Sequence, residues 1–294
     1  MQVKTNESKI VKISVMGEVA SPVARSPYRI THDGRPVSLP GVGGITYNIR
    51  VGDLATGWKA DHVEPGVSIE NKENDARFKT AANTSLNVLA CVGNEAKVIG
   101  KSDAKDEVGT VVGKHGGIEH VMVDFSEETM EKLAIGDKMM IKAYGQGLEL
   151  LDYPDIKVMN IDPGVVKKIN FQDSGDKLGI PVTHLVPAKI MGSGLGADQV
   201  YSGDYDIQLF DEGTTAEYGL EDLRFGDLVA IIDADHSYGR IYKKDAVSVG
   251  IVVHSDCVIS GHGPGVTTLF TSTRGLIDPI IDSNANIAKI LKLR

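Results

Sequence analysis

The stretch His120-Val121-Met122-Val123-Asp124-Phe125 decides the fold class. Its apolar residues Val121, Val123 and Phe125 fall on one side of an extended backbone, and the residues between them fall on the other. The same period of two recurs along the chain at residues 11–15, 86–92, 96–99, 156–161, 185–191, 207–210, 228–232 and 247–254. We therefore predict a mainly β protein, a multi-part β fold with a small β-barrel module and few short helices.

Helical patterns are scarce around this framework. Ser126 followed by two glutamates predicts an N-cap and an acidic first turn for a short helix at 126–134. Residues 220–223 allow one further helical turn. Residues 284–293 predict a terminal helix with cations near its C-terminal end.

A Gly-Asp pair preceded by an apolar residue occurs at Val51-Gly52-Asp53, Ile135-Gly136-Asp137 and Phe225-Gly226-Asp227. Glycine and aspartate both favour tight turns, the first through its backbone freedom and the second through local hydrogen bonds. The repeat indicates either related barrel-like corners or independent turns of one common type.

Changes in the pattern divide the chain into four parts. Residues 1–93 form an N-terminal β segment that we expect to pack with the C-terminal half. Residues 94–150, which include a predicted loop at 113–117, favour a small β-barrel-like module. Alternation weakens at residues 151–180, which we interpret as a connector. Residues 181–294 are the predicted C-terminal β domain, and they carry the candidate site.

Composition excludes several classes of protein. Glycine supplies 33 of the 294 residues, which is typical of many tight turns, and the formal net charge is -9. Nucleic acid and anionic membrane surfaces both require a basic protein surface, so we expect neither as a partner. No apolar run approaches the roughly eighteen residues that a membrane-spanning helix needs.

Cysteine usage and the first residues bear on the compartment. The two cysteines, Cys91 and Cys257, form no CxxC pair, which excludes a structural zinc finger. Two isolated cysteines in a chain of this length are typical of reduced core residues. Residues 1–19 lack the continuous apolar core of a signal peptide. We therefore expect a cytoplasmic protein.

Side chains that can carry chemistry concentrate between residues 233 and 265. A first group, Asp233, Asp235 and His236, follows the predicted strand 228–232. Loops at strand ends often carry functional groups, and two adjacent carboxylates either bind a cation or push one pKa upward. The alternative is a polar turn in which the aspartates bond local backbone groups.

A second group, His254 and Asp256, interrupts the apolar strand 247–254. Both residues lie on one face of the strand, and burying them is costly unless they have partners. Histidine and aspartate serve metal coordination and acid–base catalysis, although a lone strand histidine is more often structural. Successive strands tend to lie side by side, so we expect the two groups to meet.

A third group is the loop Ser260-Gly261-His262-Gly263-Pro264-Gly265. Its three glycines let the backbone approach a ligand, and the exposed N–H groups could bind an oxyanion. Its spacing matches neither a Walker loop nor a dinucleotide fingerprint. The alternative is a tight loop after a strand. Residues 61–66, beside Trp58, are a further candidate for the wall of a site, whereas 39–44 and 192–196 are more typical of turns.

Three strings resemble a known family: FGDLVAIIDADHSYGR at 225–240, GIVVHSDCVISGHGPGV at 250–266 and GTVVGKHGGIEHVMVDF at 109–125. They resemble the prokaryotic Domain of Unknown Function 4438 family over nearly the whole chain. The resemblance implies a mainly β, multi-part fold with a small barrel, and it transfers no activity.

A second similarity is to the acetamidase/formamidase family, which are β-rich metal-dependent amidohydrolases with a GD-x-H-A motif. Here Gly226-Asp227 and His236 are separated by a whole strand, and the acidic signature that follows the motif is missing. This similarity implies only a reaction class, metal-assisted hydrolysis.

These patterns lead to one hypothesis about function. The protein would be a metal-assisted hydrolase or lyase that acts on a small polar metabolite, and a divalent metal ion would lower the pKa of its bound water. The expected ligands of the ion are Asp233, Asp235, His236 and His254. Asp256 or His262 would be the acid–base group. The residues expected to contact the substrate are Gly261, Gly263 and Gly265.

Two alternatives stay open. One is a small-molecule binding protein without catalysis, in which the same loops form a preformed pocket. The other is an assembly protein whose β surfaces form a homo-oligomer. Measuring the metal content of the purified protein separates the metal-assisted hydrolase or lyase hypothesis from both alternatives.

Overall fold

The computed structural model describes residues 1–24, 26–73 and 80–294. Over these residues the protein is mainly β with a closed barrel and short helices, which confirms the predicted fold class. The strands are β1 (Ile13–Val19), β2 (Arg29–Ile30), β3 (Pro36–Val37), β4 (Ile45–Thr46), β5 (Gly66–Glu70), β6 (Glu95–Ile99), β7 (Val108–His115), β8 (His120–Asp124), β9 (Lys138–Ala143), β10 (Lys157–Val158), β11 (Gln172–Ser174), β12 (Lys177–Val182), β13 (His184–Pro187), β14 (Leu228–Asp235), β15 (Ile241–Val252), β16 (Val266–Ser272) and β17 (Ile277–Ile281). The helices are α1 (Ala81–Leu89), α2 (Glu127–Lys132), α3 (Pro163–Val166), α4 (Glu212–Tyr218) and α5 (Ile287–Leu291).

Six antiparallel strands of the described chain close into a barrel in the order β1-β9-β6-β7-β8-β5. The seam pairs β1 with β5 and places Val19 opposite Ile69. Both residues are buried in the barrel core together with Val121 and Val123 of β8. Four of the six strands lie within residues 94–150, and β1 and β5 come from before them.

The barrel docks on the rest of the molecule through β7 and β8. Met122, on the outer side of β8, belongs to a second hydrophobic core that also contains Val253. A bulge in β7 between Val111 and Gly113 lies against the same contact, and a Cβ atom at Gly113 would come within 2.4 Å of Val253. This close approach fixes the end of β7, residue His115, at the junction with the C-terminal half.

The C-terminal half contains two sheets in the described chain. A five-stranded sheet has the order β10-β16-β15-β14-β13, with β13 and β14 parallel. A three-stranded sheet has the order β11-β12-β17, with β12 and β17 parallel. One hydrophobic core joins residues from both ends of the chain, including Val3, Val112, Phe270 and Ile287. The barrel and the C-terminal half therefore share a core.

The three Gly-Asp turns have a common geometry. Each glycine has a positive φ, +100° at Gly52, +88° at Gly136 and +85° at Gly226. Each following aspartate accepts a hydrogen bond from the backbone N–H three residues before it, at 2.7–2.9 Å. The glycine thus supplies the positive φ of the turn, and the aspartate supplies its side-chain hydrogen bond.

Several expectations about local structure are confirmed, and others are wrong. The Ser126 side chain caps α2 by accepting from the N–H of Thr129, and α5 lies within the predicted terminal helix. Residues 86–92 are not a strand, because α1 occupies 81–89; Leu86 in this helix and Ala90 at its C-cap, four residues apart, are buried in the barrel core. Residues 207–210 are not a strand, since Ile207 forms an isolated bridge with Met191. Residues 113–117 are not wholly a loop, since β7 continues to His115. Within the described residues, no helix has the length and apolar character to cross a membrane.

Candidate metal centre

A cavity of about 560 Å³ opens where the barrel meets the C-terminal half. Its wall includes the end of β7, the segment before β5, the loop around residue 204 and the loop after β15. The polar side chains that matter for its chemistry are His62, His115, Asp204, Asp206, Arg240 and His262.

The backbone of Gly265 brings two of these segments together. Val253 donates its N–H to the Gly265 carbonyl at 2.8 Å, and Tyr205 donates to the carbonyl of the following residue at 3.0 Å. A Cβ atom on Gly265 would lie 2.0 Å from Asp204 Oδ2 and 2.3 Å from His254 Nε2. Only glycine therefore leaves room for both side chains.

The Asp204 segment is also tied to the end of β7. Gly116 donates its N–H to Asp204 Oδ1 at 2.9 Å. The backbones of Gly116 and Gly203 approach so closely that a Cβ atom on Gly203 would lie 2.9 Å from the Gly116 Cα. His115 is consequently held beside Asp204, although they are far apart in sequence.

The contact between His254 and Asp204 needs a cation. His254 Nε2 lies 2.7 Å from Asp204 Oδ2 and 3.7 Å from Asp206 Oδ1. His254 Nδ1 donates to the Ser255 carbonyl at 2.9 Å, so Nε2 carries the lone pair whenever the ring is neutral. Neither Nε2 nor Oδ2 has a hydrogen-bond partner of suitable geometry, and both are buried. Two acceptors this close require a proton or a metal ion to bind them.

Two further histidines are oriented in the same way. His115 Nδ1 donates to Glu64 Oε1 at 2.7 Å, and His62 Nδ1 donates to Asp61 Oδ1 at 3.0 Å. In each ring the Nε2 atom then faces the cluster, and that of His62 lies 3.0 Å from His262 Nδ1. An outer acceptor that fixes the tautomer of an imidazole is a recurrent feature of metal-bound histidines.

Glu64 orients the His115 side of this cluster through several hydrogen bonds. It is buried and accepts from His115, His120, Ser68 and the Gly43 N–H. Burial raises the pKa of Glu64, but the charge of His120 and the hydrogen bonds from both histidines outweigh it and hold the pKa well below its ordinary value. Glu64 is therefore an ionised carboxylate, and it fixes the His115 ring.

The two central carboxylates are ionised as well. Burial raises the pKa of Asp204 and of Asp206, yet neighbouring histidines, His254 foremost, bring each below its ordinary value. Burial lowers the pKa of His62, and the opposing effect of Asp61 does not restore it. Burial also lowers the pKa of His254, but Asp204 outweighs it and raises the pKa well above the ordinary value. Without another cation, a proton would occupy the His254–Asp204 contact.

Three sets of side chains in the described chain place their ligand atoms within 4.8 Å of one another: His115–Asp204–His254, His62–Asp206–His262 and Asp61–His62–Cys257. The first two sets adjoin. The His115 and His254 rings stack with centroids 4.2 Å apart, and the His62 and His254 centroids are 5.3 Å apart. His262 Nδ1 lies 3.0 Å from both His62 Nε2 and Asp206 Oδ2.

The sequence singled out His254 and His262, and the structure brings these two together. It does not bring Asp233, Asp235 or His236 to them, and none of the three belongs to a candidate ligand set in the described chain. A bulge between Ile232 and Ala234 interrupts the strand ladder, so Asp233 (φ +64°) no longer shares a face with Asp235.

Each of these three residues has a local partner instead. Asp233 accepts from the Asp245 N–H at 2.8 Å, and Asp235 accepts from Ser237 and Thr273. The His236 Nδ1 atom bonds Thr268 Oγ1 at 2.6 Å, and burial lowers the pKa of His236 to about 3. Asp235 thus accepts from the nearby Ser237 backbone N–H, whereas the backbone partner of Asp233 lies twelve residues away.

The other predicted residues, Asp256 and the three loop glycines, have different surroundings. Asp256 accepts from the Gly57 N–H at 2.9 Å, and burial raises its pKa; its side chain is not part of the cavity wall. Gly265 lies against Asp204 and His254. Gly263 packs on the Ile207 carbonyl, where a Cβ atom would lie 1.6 Å from the oxygen, and Gly261 has open space around it.

Sequence reasoning missed His115, Asp204 and Asp206 and gave His62 only a place in a site wall. A weak signal existed for the aspartates, because residues two apart in an extended segment share one face. No local signal joins them to His115 and His62, since the docking of the barrel creates that contact.

The comparisons with known proteins define the class to which this fold belongs. The N-terminal domain of the family described as Domain of unknown function (DUF4438) matches residues 28–167, and its C-terminal domain matches residues 168–291. The chain belongs to this family. A solved structure titled "Crystal structure of TM1086" is similar to it, with 48% identity and a TM-score of 0.92 over 98% of this chain and 99% of the other. No curated protein matches the sequence.

Proposed function

We propose that this protein is a metal-dependent hydrolase that acts on a small polar metabolite. The observation that carries the proposal is the orientation of His62, His115 and His254. Each donates its Nδ1–H to an outer acceptor and leaves Nε2 for a centre that also contains two ionised carboxylates. Nitrogen and oxygen ligands in this mixture suit a divalent transition metal such as zinc.

The first candidate ligand set is His115, Asp204 and His254. Three protein ligands leave an open position for water, which is the arrangement of catalytic rather than structural zinc sites. A bound ion would lower the pKa of that water and polarise a substrate carbonyl. The His254–Asp204 contact supports a cation at this position, because Nε2 and Oδ2 lie 2.7 Å apart; a metal ion would take the place of the proton that occupies the contact otherwise.

His262 is the proposed acid–base group. Its side chain is 34% exposed at the cavity, and its Nδ1 atom lies 3.0 Å from Asp206 Oδ2. A histidine at the wet side of a buried carboxylate can accept a proton from water and return it to a leaving group. Asp206 and His62 would orient the ring for this exchange.

Metal analysis of protein purified without a chelator tests the proposal. We expect about one equivalent of a transition metal per chain in the wild type and its loss in His254→Ala. The matched control is His184→Ala, because His184 also pairs with a carboxylate, Asp222 at 2.8 Å, but lies outside the cavity. The control should keep both its metal and any metal-dependent hydrolysis of small amides and esters.

Each other result has a defined meaning. Equal metal content in His254→Ala and the wild type would remove the proposed centre. Two equivalents per chain would assign an ion to the His62–Asp206–His262 set and exclude His262 as the acid–base group. Metal without hydrolysis of any amide or ester would leave a binding protein.

A further inference from the structure

Arg240 is a buried cation on the wall of the cavity. It immediately precedes β15 and is 3% exposed. Its backbone is fixed by two hydrogen bonds to the neighbouring loop, from Arg240 N to Ala197 O and from Gly196 N to Arg240 O. Among the described residues its guanidinium makes one hydrogen bond, from Nη2 to the Ser202 carbonyl at 3.2 Å, and its Nε atom is buried without a partner.

The Arg240 guanidinium has no direct ion pair in the described chain, although the charges of Asp204, Asp206 and Glu119 act on it at longer range. In the described chain no carboxylate oxygen lies within the 4.0 Å of an ion pair with it, whereas Arg29, also on the cavity wall, pairs with Asp61 at 3.0 Å and Arg50 pairs with Asp124 at 2.9 Å. A guanidinium remains charged in proteins, and a buried charge is costly unless a counter-charge satisfies it. The guanidinium therefore has N–H groups that no protein carboxylate contacts directly and that a bound anion could use.

The position of Arg240 relates this anion to the metal centre. Ser202, which accepts from Arg240, precedes Asp204 by two residues, so their Cα atoms are at most about 7 Å apart. Both residues line the same cavity, whose volume of about 560 Å³ suits a small metabolite. One end of such a molecule can reach Arg240 while the other reaches the centre.

The chemistry of the wall favours a carboxylate over a phosphate. Among the described lining residues Arg240 is the unpaired cation, no lysine accompanies it, and Glu119 and Asp198 line the same cavity. A phosphate dianion would be placed beside several acids with one cation. A single negative charge with two oxygens matches the fork of one guanidinium.

We propose that Arg240 binds the carboxylate of a small organic acid, and that this acid is the substrate class of the metal centre. Only the claim that this acid is the substrate class rests on the proposed function. The first part, a carboxylate subsite at Arg240, stands on burial, the unpaired guanidinium and the cavity.

The test compares succinate, its neutral diamide and inorganic phosphate by calorimetry. The proteins are the metal-loaded wild type, Arg240→Met and Arg240→Lys. We expect succinate to bind the wild type and to bind Arg240→Met about 10- to 100-fold more weakly, as loss of a charged hydrogen-bond pair predicts. Arg240→Lys keeps the charge and should recover part of the affinity, and the diamide should bind poorly to all three.

Metal content and melting temperature of each variant accompany the titration. Equal succinate affinity in the wild type and Arg240→Met, at equal metal content, would overturn the subsite and leave the metal centre standing. If the wild type retains no metal after incubation with zinc and still shows Arg240-dependent succinate binding, the subsite is supported and the metal function is overturned. Tighter binding of phosphate than of succinate would overturn the carboxylate assignment. If Arg240→Met does not fold, Arg240→Lys decides: its affinity must lie below that of the wild type.

Discussion

Single residues of the centre are held by partners that lie outside it. His62, His115 and His254 each bond an oxygen with Nδ1, and the acceptors are a carboxylate, a carboxylate and a carbonyl. Orientation of this kind limits each ring to one tautomer before any ligand arrives. Asp61 and Ser255 are sequence neighbours of His62 and His254, whereas the partner of His115 is not visible in the sequence, because Glu64 is 51 residues away.

Gly265 gives the first prediction at this scale. Gly265→Ala places a methyl group at the position of the Asp204 and His254 ligand atoms, so one of the two side chains must move. Its φ lies outside the left-handed region, so the effect is steric and does not come from backbone strain. We expect metal affinity to fall by about 10- to 100-fold, the loss typical when the support of a ligand is changed.

The matched control is Gly213→Ala in α4, where the new Cβ atom would make an ordinary contact of 3.6 Å with Asp211. Competition with a coloured chelator measures both affinities. Wild-type affinity in Gly265→Ala would show that Asp204 and His254 do not hold an ion together.

At the scale of elements, periodicity predicted the barrel because inward and outward residues alternate along β8. It failed at residues 86–92, where alternating apolar residues also contain a spacing of four. Leu86 and Ala90 use that spacing to pack into the barrel core, so tertiary contacts selected the helix α1. Tertiary structure also changed the predicted site. The bulge at Asp233 adds one residue to the strand, so the Asp233 carboxylate no longer shares a face with that of Asp235.

The segment that follows α1 gives a prediction about pH. It connects the barrel to the C-terminal half, with Val92 bonded to Asn160 and Asn94 bonded to Asp162. Cys91, in the same segment, is fully buried, and burial raises the pKa of its thiol from 9.0 to about 11. Above pH 9 the unfolded chain releases this proton while the folded chain retains it, so stability is lost as pH rises from about 9 to 11.

Cys91→Ala should remove this part of the alkaline loss. The wild type should lose on the order of 2 kcal/mol more than the variant between pH 8 and pH 11. Any loss of stability that the substitution causes at every pH cancels in that difference. Urea denaturation at several pH values measures it. An equal fall in both proteins would show that the Cys91 thiol does not titrate differently on folding.

At the scale of the whole molecule, the centre belongs to neither half alone. The barrel supplies His115, the segment before β5 supplies His62, and the C-terminal half supplies Asp204, Asp206 and His254. The sequence identified the fold class and two of the histidines from local patterns. The remaining ligands could not be found in this way, because contacts across 50 to 200 residues depend on how the barrel docks.

The composite centre predicts that one metal ion stabilises the entire protein. An ion that binds only the folded state at about 100 times its dissociation constant adds about 2.7 kcal/mol. For a chain of this size that corresponds to a rise in Tm of roughly 4–5 °C. Since the ligands come from both halves and the halves share a core, the whole unfolding transition should shift. Calorimetry of the wild type with zinc and with a chelator measures the shift, which His184→Ala should reproduce and His254→Ala should lack. A chelator-independent Tm in the wild type, or movement of only one of two separate transitions, would contradict a centre shared between the halves.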